Sequence, residues 1–282
     1  MALEFKRHVE DDLIKELKDN PLWGKLKADC EKGEVFLALR NTAISFYHKG
    51  GRLFTFDGKD FITNKKFASV INAEDGDIKE RQLEEIKLIK NFLDGYNQIK
   101  KNCELYSGDE AKGVSYLYQK SSYLSDENYV VLDIEIVLKD DSNEKDRIDI
   151  LLYDKKSQTL RFVEAKHFSN PDLWSKSTPK VIEQIKNYEK QIKDFEKGSK
   201  LVEEYGFYID NLSKIFDKKL PSPGYIDQKI SLLIFGFDDD QKYGKLKESI
   251  FGNSEYKDKD IKIYPKGHAD GLKAETIWEK AK

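Results

Sequence analysis

The chain of 282 residues carries 49 Lys plus Arg against 52 Asp plus Glu, a formal net charge of −3, with 39% apolar and 36% charged residues. That is a globular composition with enough Phe and Tyr to fill a sizeable core, and it excludes a protein that coats nucleic acid by bulk charge, while leaving a local basic surface open. No run approaches the ~18 apolar residues of a membrane helix, the N-terminal MALEFKRHVEDD has no signal-peptide block, and Cys30 and Cys103 lack the neighbours of a disulfide framework or zinc site; a cytoplasmic protein without a membrane partner is expected.

Residues 1–76 read as a short helix followed by a β-rich module. Leu13, Ile14, Leu17 and Trp23 recur at roughly helical spacing, with Pro21 ending the pattern. Val35, Leu37 and Leu39 then alternate, Ile44, Phe46 and Tyr47 follow, and Gly50-Gly51 marks a tight hairpin before Leu53, Phe54 and Phe56. Its basic tip, His48 to Arg52, is expected to be exposed, as a plain turn or as a phosphate-contacting loop. A connecting segment, 77–106, holds an amphipathic helix over 79–96 with Leu83, Ile86, Ile89, Leu93 and Tyr96 on its apolar stripe. The remaining domain, 107–282, opens with a helix over 107–122 and strands over 129–138, 147–154 and 159–168. Thr178 as N-cap and Pro179 at the first position start a second helix, striped by Val181, Ile185, Tyr188, Ile192 and Phe195. Beyond a Pro-containing linker near 221–224, residues 230–237 read as a buried strand.

The phase of the strands singles out three residues. Ile148, Ile150 and Leu152 share one face of the second strand and leave Asp149 on the other; Glu164 and Lys166 project together from the third, opposite Val163 and Ala165. The short turn at Lys155-Lys156-Ser157 favours antiparallel pairing, which brings Asp149 towards Glu164. Two carboxylates and an ammonium near a sheet centre are costly without compensation. A hard divalent cation supplies it, because Mg²⁺ takes one or two carboxylates plus water and phosphate oxygens. Lys166 would then orient or deprotonate a water, or neutralise developing charge. The competing reading is a plain ion pair between Lys166 and Glu164 or Asp149. His167 faces the other side of its strand and reads as a packing residue. Asp238, Asp239 and Asp240 read as a solvated strand end, and the run 267–271 as a surface turn. No P-loop, GxSxG elbow or HExxH helix is present.

The run Arg147-Ile148-Asp149 followed by Val163-Glu164-Ala165-Lys166, with 15 positions from Asp149 to Glu164, resembles the motif of the PD-(D/E)xK nuclease superfamily. The order helix–strand–strand–strand–helix–strand over roughly 107–237 resembles its αβββαβ core, although Ile148 stands where the family has Pro. Gln184 and Tyr188, one turn apart, resemble a pair found in several branches, in which the Gln arranges the metal or the lysine. Without the family, Gln184 is a polar residue flanking a buried stripe and Tyr188 a core aromatic. The superfamily often adds a Glu on the preceding helix. Glu110 is the best-placed residue for that role, and otherwise a first-turn acid suited to the helix dipole. Glu135 competes, since it shares the polar face of the first strand with Asp133.

The resemblance implies an α/β (α+β) protein: a restriction-endonuclease-like αβββαβ core with a mixed central sheet, plus the N-terminal β-rich module. It implies a Mg²⁺-dependent endodeoxyribonuclease, with Mn²⁺ as a substitute, acting in restriction, defence or repair. Asp149, Glu164 and the Ala165 carbonyl would bind the metal, Lys166 would serve catalysis, and Gln184 with Glu110 or Glu135 would complete the site. DNA is the expected partner and RNA the alternative substrate, while the N-terminal module would serve recognition or homodimerisation. The rival expectation is a non-catalytic module with a nuclease-like fold that binds nucleic acid or protein.

Overall fold

Apolar residues at helical spacing behind two leading aspartates form α1 (Asp11–Asp19), which buries Ile14 and Leu17. The chain breaks at Asn20-Pro21 and restarts as α2 (Trp23–Glu31), so the expected single helix is two. The computed structural model describes residues 5–70, 88–138, 147–175, 178–196 and 199–280. Four strands follow, β1 (Phe36–Arg40), β2 (Ala43–His48), β3 (Gly51–Phe56) and β4 (Phe61–Ile62), as an antiparallel sheet in chain order. Val35, Leu37 and Leu39 alternate in the sequence, but Phe36 to Leu39 are all buried, because Phe36 on the other face packs on Tyr118 and Tyr123.

The β2–β3 hairpin turns on Lys49-Gly50 instead of Gly50-Gly51, with φ of 49° and 87°. Positive φ at both central residues matches the twist of the strands it joins. A Cβ on Gly50 would lie 2.4 Å from the Ala111 carbonyl carbon, so the turn is pressed against the backbone at Ala111 and Lys112. The tip is therefore not the exposed loop expected: His48 is buried with Nδ1 2.8 Å from the Glu34 carbonyl, and Arg52 is the exposed residue.

Most of the predicted helix over 79–96 lies outside the described residues, and 88–95 are not helical. Leu88 bridges Ser69, and the Asn91 side chain accepts the N–H groups of Leu93 and Asp94. Such a local side-chain turn competes with helix, so α3 (Tyr96–Leu105) starts only after Gly95.

The second sheet is mixed. β5 (Tyr129–Ile136), β6 (Ile148–Asp154) and β7 (Thr159–His167) are antiparallel, and β7 continues in parallel to β8 (Tyr225–Phe235) and β9 (Lys262–Lys266). Before it stands α4 (Asp109–Lys120), packed on β7 and β5. Gly113 permits that approach, since a Cβ there would fall 2.0 Å from the Phe235 ring. Between β7 and β8 run α5 (Lys180–Glu196) and α6 (Lys200–Phe216). Helix α6 lies outside the elements expected from the sequence, although Leu201, Tyr205, Tyr208, Leu212 and Ile215 recur at helical spacing and are buried. Thr178 donates its hydroxyl to Glu255 at 3.2 Å, and α5 begins at Lys180. After β8, Asp238 caps α7 (Asp239–Gln241), and α8 (Ser254–Asp258) and α9 (Ala274–Lys280) flank β9. The chain is thus a mixed α+β protein with one antiparallel and one mixed sheet. Its buried apolar residues form one core cluster spanning both. Among the described residues no helix is long and apolar enough to cross a membrane.

Candidate functional site

The β6–β7 ladder ends at Ile150 opposite Val163. Continued in register, the ladder would pair Asp149 with Glu164 and Ile148 with Ala165, but the Ala165 N–H donates instead to Asp149 Oδ2 at 2.8 Å. N–H and C=O of one strand residue point to the same neighbour. The Ala165 carbonyl therefore faces the gap left by the unfinished ladder, where Asp149 sits. One strand position either side of Ala165, Glu164 Oε1 accepts from Lys166 Nζ at 2.6 Å. The expected antiparallel pairing and shared phase are both present.

Helix α4 adds a third carboxylate. Glu110 Oε1 lies 3.9 Å from Lys166 Nζ, and Oε2 accepts from the His167 N–H at 3.1 Å and from Asn170 Nδ2 at 2.9 Å. Asn170 was not anticipated. The Asn-Pro pair at 170–171 signals a turn but does not reveal that its amide would fix a glutamate from a distant helix. Glu135 is also brought near: with Glu110, Asp149, Tyr47 and Tyr118 it lines a cavity of about 320 Å³. Its φ of 49° is left-handed, and its Oε2 accepts from Tyr47 Oη and Arg147 NH1, each at 3.2 Å.

Asp133 belongs elsewhere. A register shift between Val131 and Asp133 accompanies its burial against Arg40 at 2.9 Å, Arg7 at 3.7 Å and the Tyr205 hydroxyl at 3.1 Å. Gln184 donates to Tyr188 Oη at 2.9 Å, and among the described residues no hydrogen bond joins Gln184 to Asp149, Glu164 or Lys166. His167 packs edge-on against Phe235.

The electrostatics are unbalanced. Glu164 is fully buried and its Oε2 has no hydrogen-bond partner among the described residues. Burial, reinforced by Asp149, pushes its carboxyl well above the usual range despite Lys166. Burial raises Asp149 to about 7; Lys166 and the Ala165 N–H oppose that rise, and Glu110 and Glu135 add to it. Burial alone would lower Lys166, but Glu164, Asp149 and Glu110 outweigh it and hold the ammonium protonated. One ammonium thus faces Asp149, Glu164 and Glu110. The plain ion pair is present in the Lys166–Glu164 contact, yet among the described residues no ion pair reaches Asp149 and no hydrogen bond the second Glu164 oxygen.

Those unmet groups fit a hard cation. Among the described residues no three Asp, Glu, His or Cys side chains form a ready metal cage. Mg²⁺ does not require one, since it is commonly held by one or two carboxylates with water and substrate oxygens. Two carboxylates and a carbonyl at an unfinished ladder are such a donor set. No family model, curated protein or solved structure matches the chain, so the functional reading rests on these residues.

Proposed function

We propose that the protein is a divalent-metal-dependent nuclease acting at the Asp149 cavity, and that β5–β8 with α4 and α5 form a restriction-endonuclease-like core. The observation that carries the reading is the excess of carboxylate over ammonium, buried Glu164 with half-buried Asp149 and Glu110 around the one Lys166, with an unpartnered Glu164 oxygen at the end of the β6–β7 ladder. Asp149, Glu164 and the Ala165 carbonyl would hold Mg²⁺ or Mn²⁺. A divalent cation bound there supplies Lewis acidity at a phosphodiester oxygen and lowers the pKa of water. Lys166, kept as an ammonium, donates rather than accepts; it orients the attacking water and offsets the negative charge that grows on the phosphoryl group. Glu110, fixed by Asn170 and the His167 N–H, holds Lys166 from the α4 side. Gln184 would position the site through the helix that packs on β8.

The test is cleavage of linear, nicked, branched and single-stranded DNA, and of RNA, with Mg²⁺ or Mn²⁺. Lys166→Ala should lose roughly 10²–10⁴-fold in rate while keeping its fold, and Asp149→Ala should lose metal binding by calorimetry. A Lys166→Ala protein that cuts at the parental rate sinks the reading. Absence of Asp149-dependent metal binding would favour the non-catalytic module, and preference for RNA would change the substrate without moving the site.

A further inference from the structure

The cavity beside Asp149 does not stand alone. Tyr47 and Glu135 also line a second cleft, of about 310 Å³, together with Phe5, Lys6, Arg7, Arg40, Arg52 and Arg147. Five basic side chains against one carboxylate are unexpected in a chain of net charge −3. Concave basic walls of low dielectric focus the field on an incoming anion.

The five cations are not equivalent. Arg40 is committed: its NH1 donates to Asp133 and to the Leu39 carbonyl, and its NH2 to Tyr47 and the Ile134 carbonyl. Arg7 is buried beside Asp133. These two supply a fixed positive floor but few free donors. Lys6 pairs with the exposed Glu10 at the rim. Arg52 is exposed and, among the described residues, no carboxylate pairs with it. Arg147 is 41% exposed and, among the described residues, its one ion pair is with Glu135 at 3.2 Å. Phe5 is occupied by Phe195, Tyr205 and Arg7, so the cleft presents charge and not a free aromatic platform.

We infer that this cleft is a phosphate subsite for a nucleic-acid strand: it holds a backbone phosphate next to the one presented at Asp149, with Arg52 and Arg147 as its direct ligands. The inference rests on the Asp149 cavity being the site of cleavage. A strand is the occupant that fits, because the two cavities share a wall at Tyr47 and Glu135, and only a polyanion spans both. Contacts to phosphate without base contacts make the binding independent of sequence and steeply dependent on salt. The N-terminal module, through Arg52 on β3 and Arg40 on β1, would thus take part in substrate binding.

The test is fluorescence anisotropy of labelled oligonucleotides of unrelated sequence with the full chain in EDTA, so that nothing is cut, from about 50 to 200 mM salt. Arg52→Ala and Arg147→Ala should each weaken binding roughly fivefold or more at low salt, alike for every sequence, and each should reduce the salt slope by about 1. Lys257→Ala, on α8 and outside the cleft, should match the parent. Both arginine variants binding like the parent would overturn the inference. So would a parent that binds no oligonucleotide, or a mononucleotide that competes as well per phosphate as the strand. Lys166→Ala, run in parallel, separates the two readings. Binding through Arg52 and Arg147 with no metal-dependent cleavage would sink the catalytic reading and retain a binding cleft. Cleavage that depends on Lys166 while Arg52 and Arg147 leave binding untouched would sink the cleft alone.

Discussion

Asp133 joins the N-terminal segment and β1 to β5, and its removal tests how that junction is held. The carboxylate is fully buried and accepts from Arg40 at 2.9 Å, from Tyr205 at 3.1 Å and from the Ile134 N–H at 2.8 Å, with Arg7 at 3.7 Å. Replacing it with Ala strands Arg7, which is 5% exposed, and Arg40 beside it. Breaking a buried ion pair by removing one partner costs about 3–5 kcal/mol, a large share of the roughly 5–15 kcal/mol available to a folded chain. The expected signature is a urea midpoint lowered at unchanged slope and a Tm lower by roughly 5–15 °C. Asp133→Asn, which keeps an acceptor for Arg40 or Tyr205, should lose about half as much. Metal binding by the folded variants should be unchanged, because Asp133 lies in a different cluster from Asp149. A loss below about 1 kcal/mol would refute the reasoning: it would mean that the two guanidinium groups reach solvent once the carboxylate is gone.

Gly113→Ala should destabilise by about 1–3 kcal/mol through overpacking, net of a helix-propensity gain near 1 kcal/mol, because the new Cβ would sit 2.0 Å from the Phe235 ring. Pairing it with Phe235→Leu should restore part of the loss in a double-mutant cycle, and strict additivity would count against that contact. Burial lowers the pKa of His48, so the folded state prefers neutral imidazole. The unfolded chain then binds more protons as pH falls through about 6.5. The His48 contribution is present in full above that pH and is lost on acidification towards the lowered folded value. A His48→Gln variant should therefore show a flatter stability–pH curve between about 7.5 and 5, and an unaltered curve would refute the assignment.

The antiparallel β6–β7 pairing and the strand positions of Asp149, Glu164 and Lys166 were legible in the sequence because they follow from local rules, whereas the parallel addition of β8 and β9 was not. Period-2 alternation assigns each side chain a face, and a short turn imposes antiparallel pairing. Helix α4 was equally legible, and it carried Glu110 into range of Lys166. Longer-range facts were not. The Lys49-Gly50 turn depends on α4 pressing against the hairpin at Gly50, and His48 is held by the Glu34 carbonyl and by Cys103 of α3. The start of α3 was decided by the side chain of Asn91, and α6 was missed although its apolar spacing was there to read. Only the tertiary structure decided which acids share the site. Asp133 is buried against Arg40 and Arg7 whereas Glu135, at a left-handed φ of 49°, lines the Asp149 cavity, and no composition or periodicity encodes that kink. The basic cleft likewise gathers Arg7, Arg40, Arg52 and Arg147 from four places in the chain. Periodicity acts over a few residues, whereas a charged cavity is made by distant segments whose shared core forces them together.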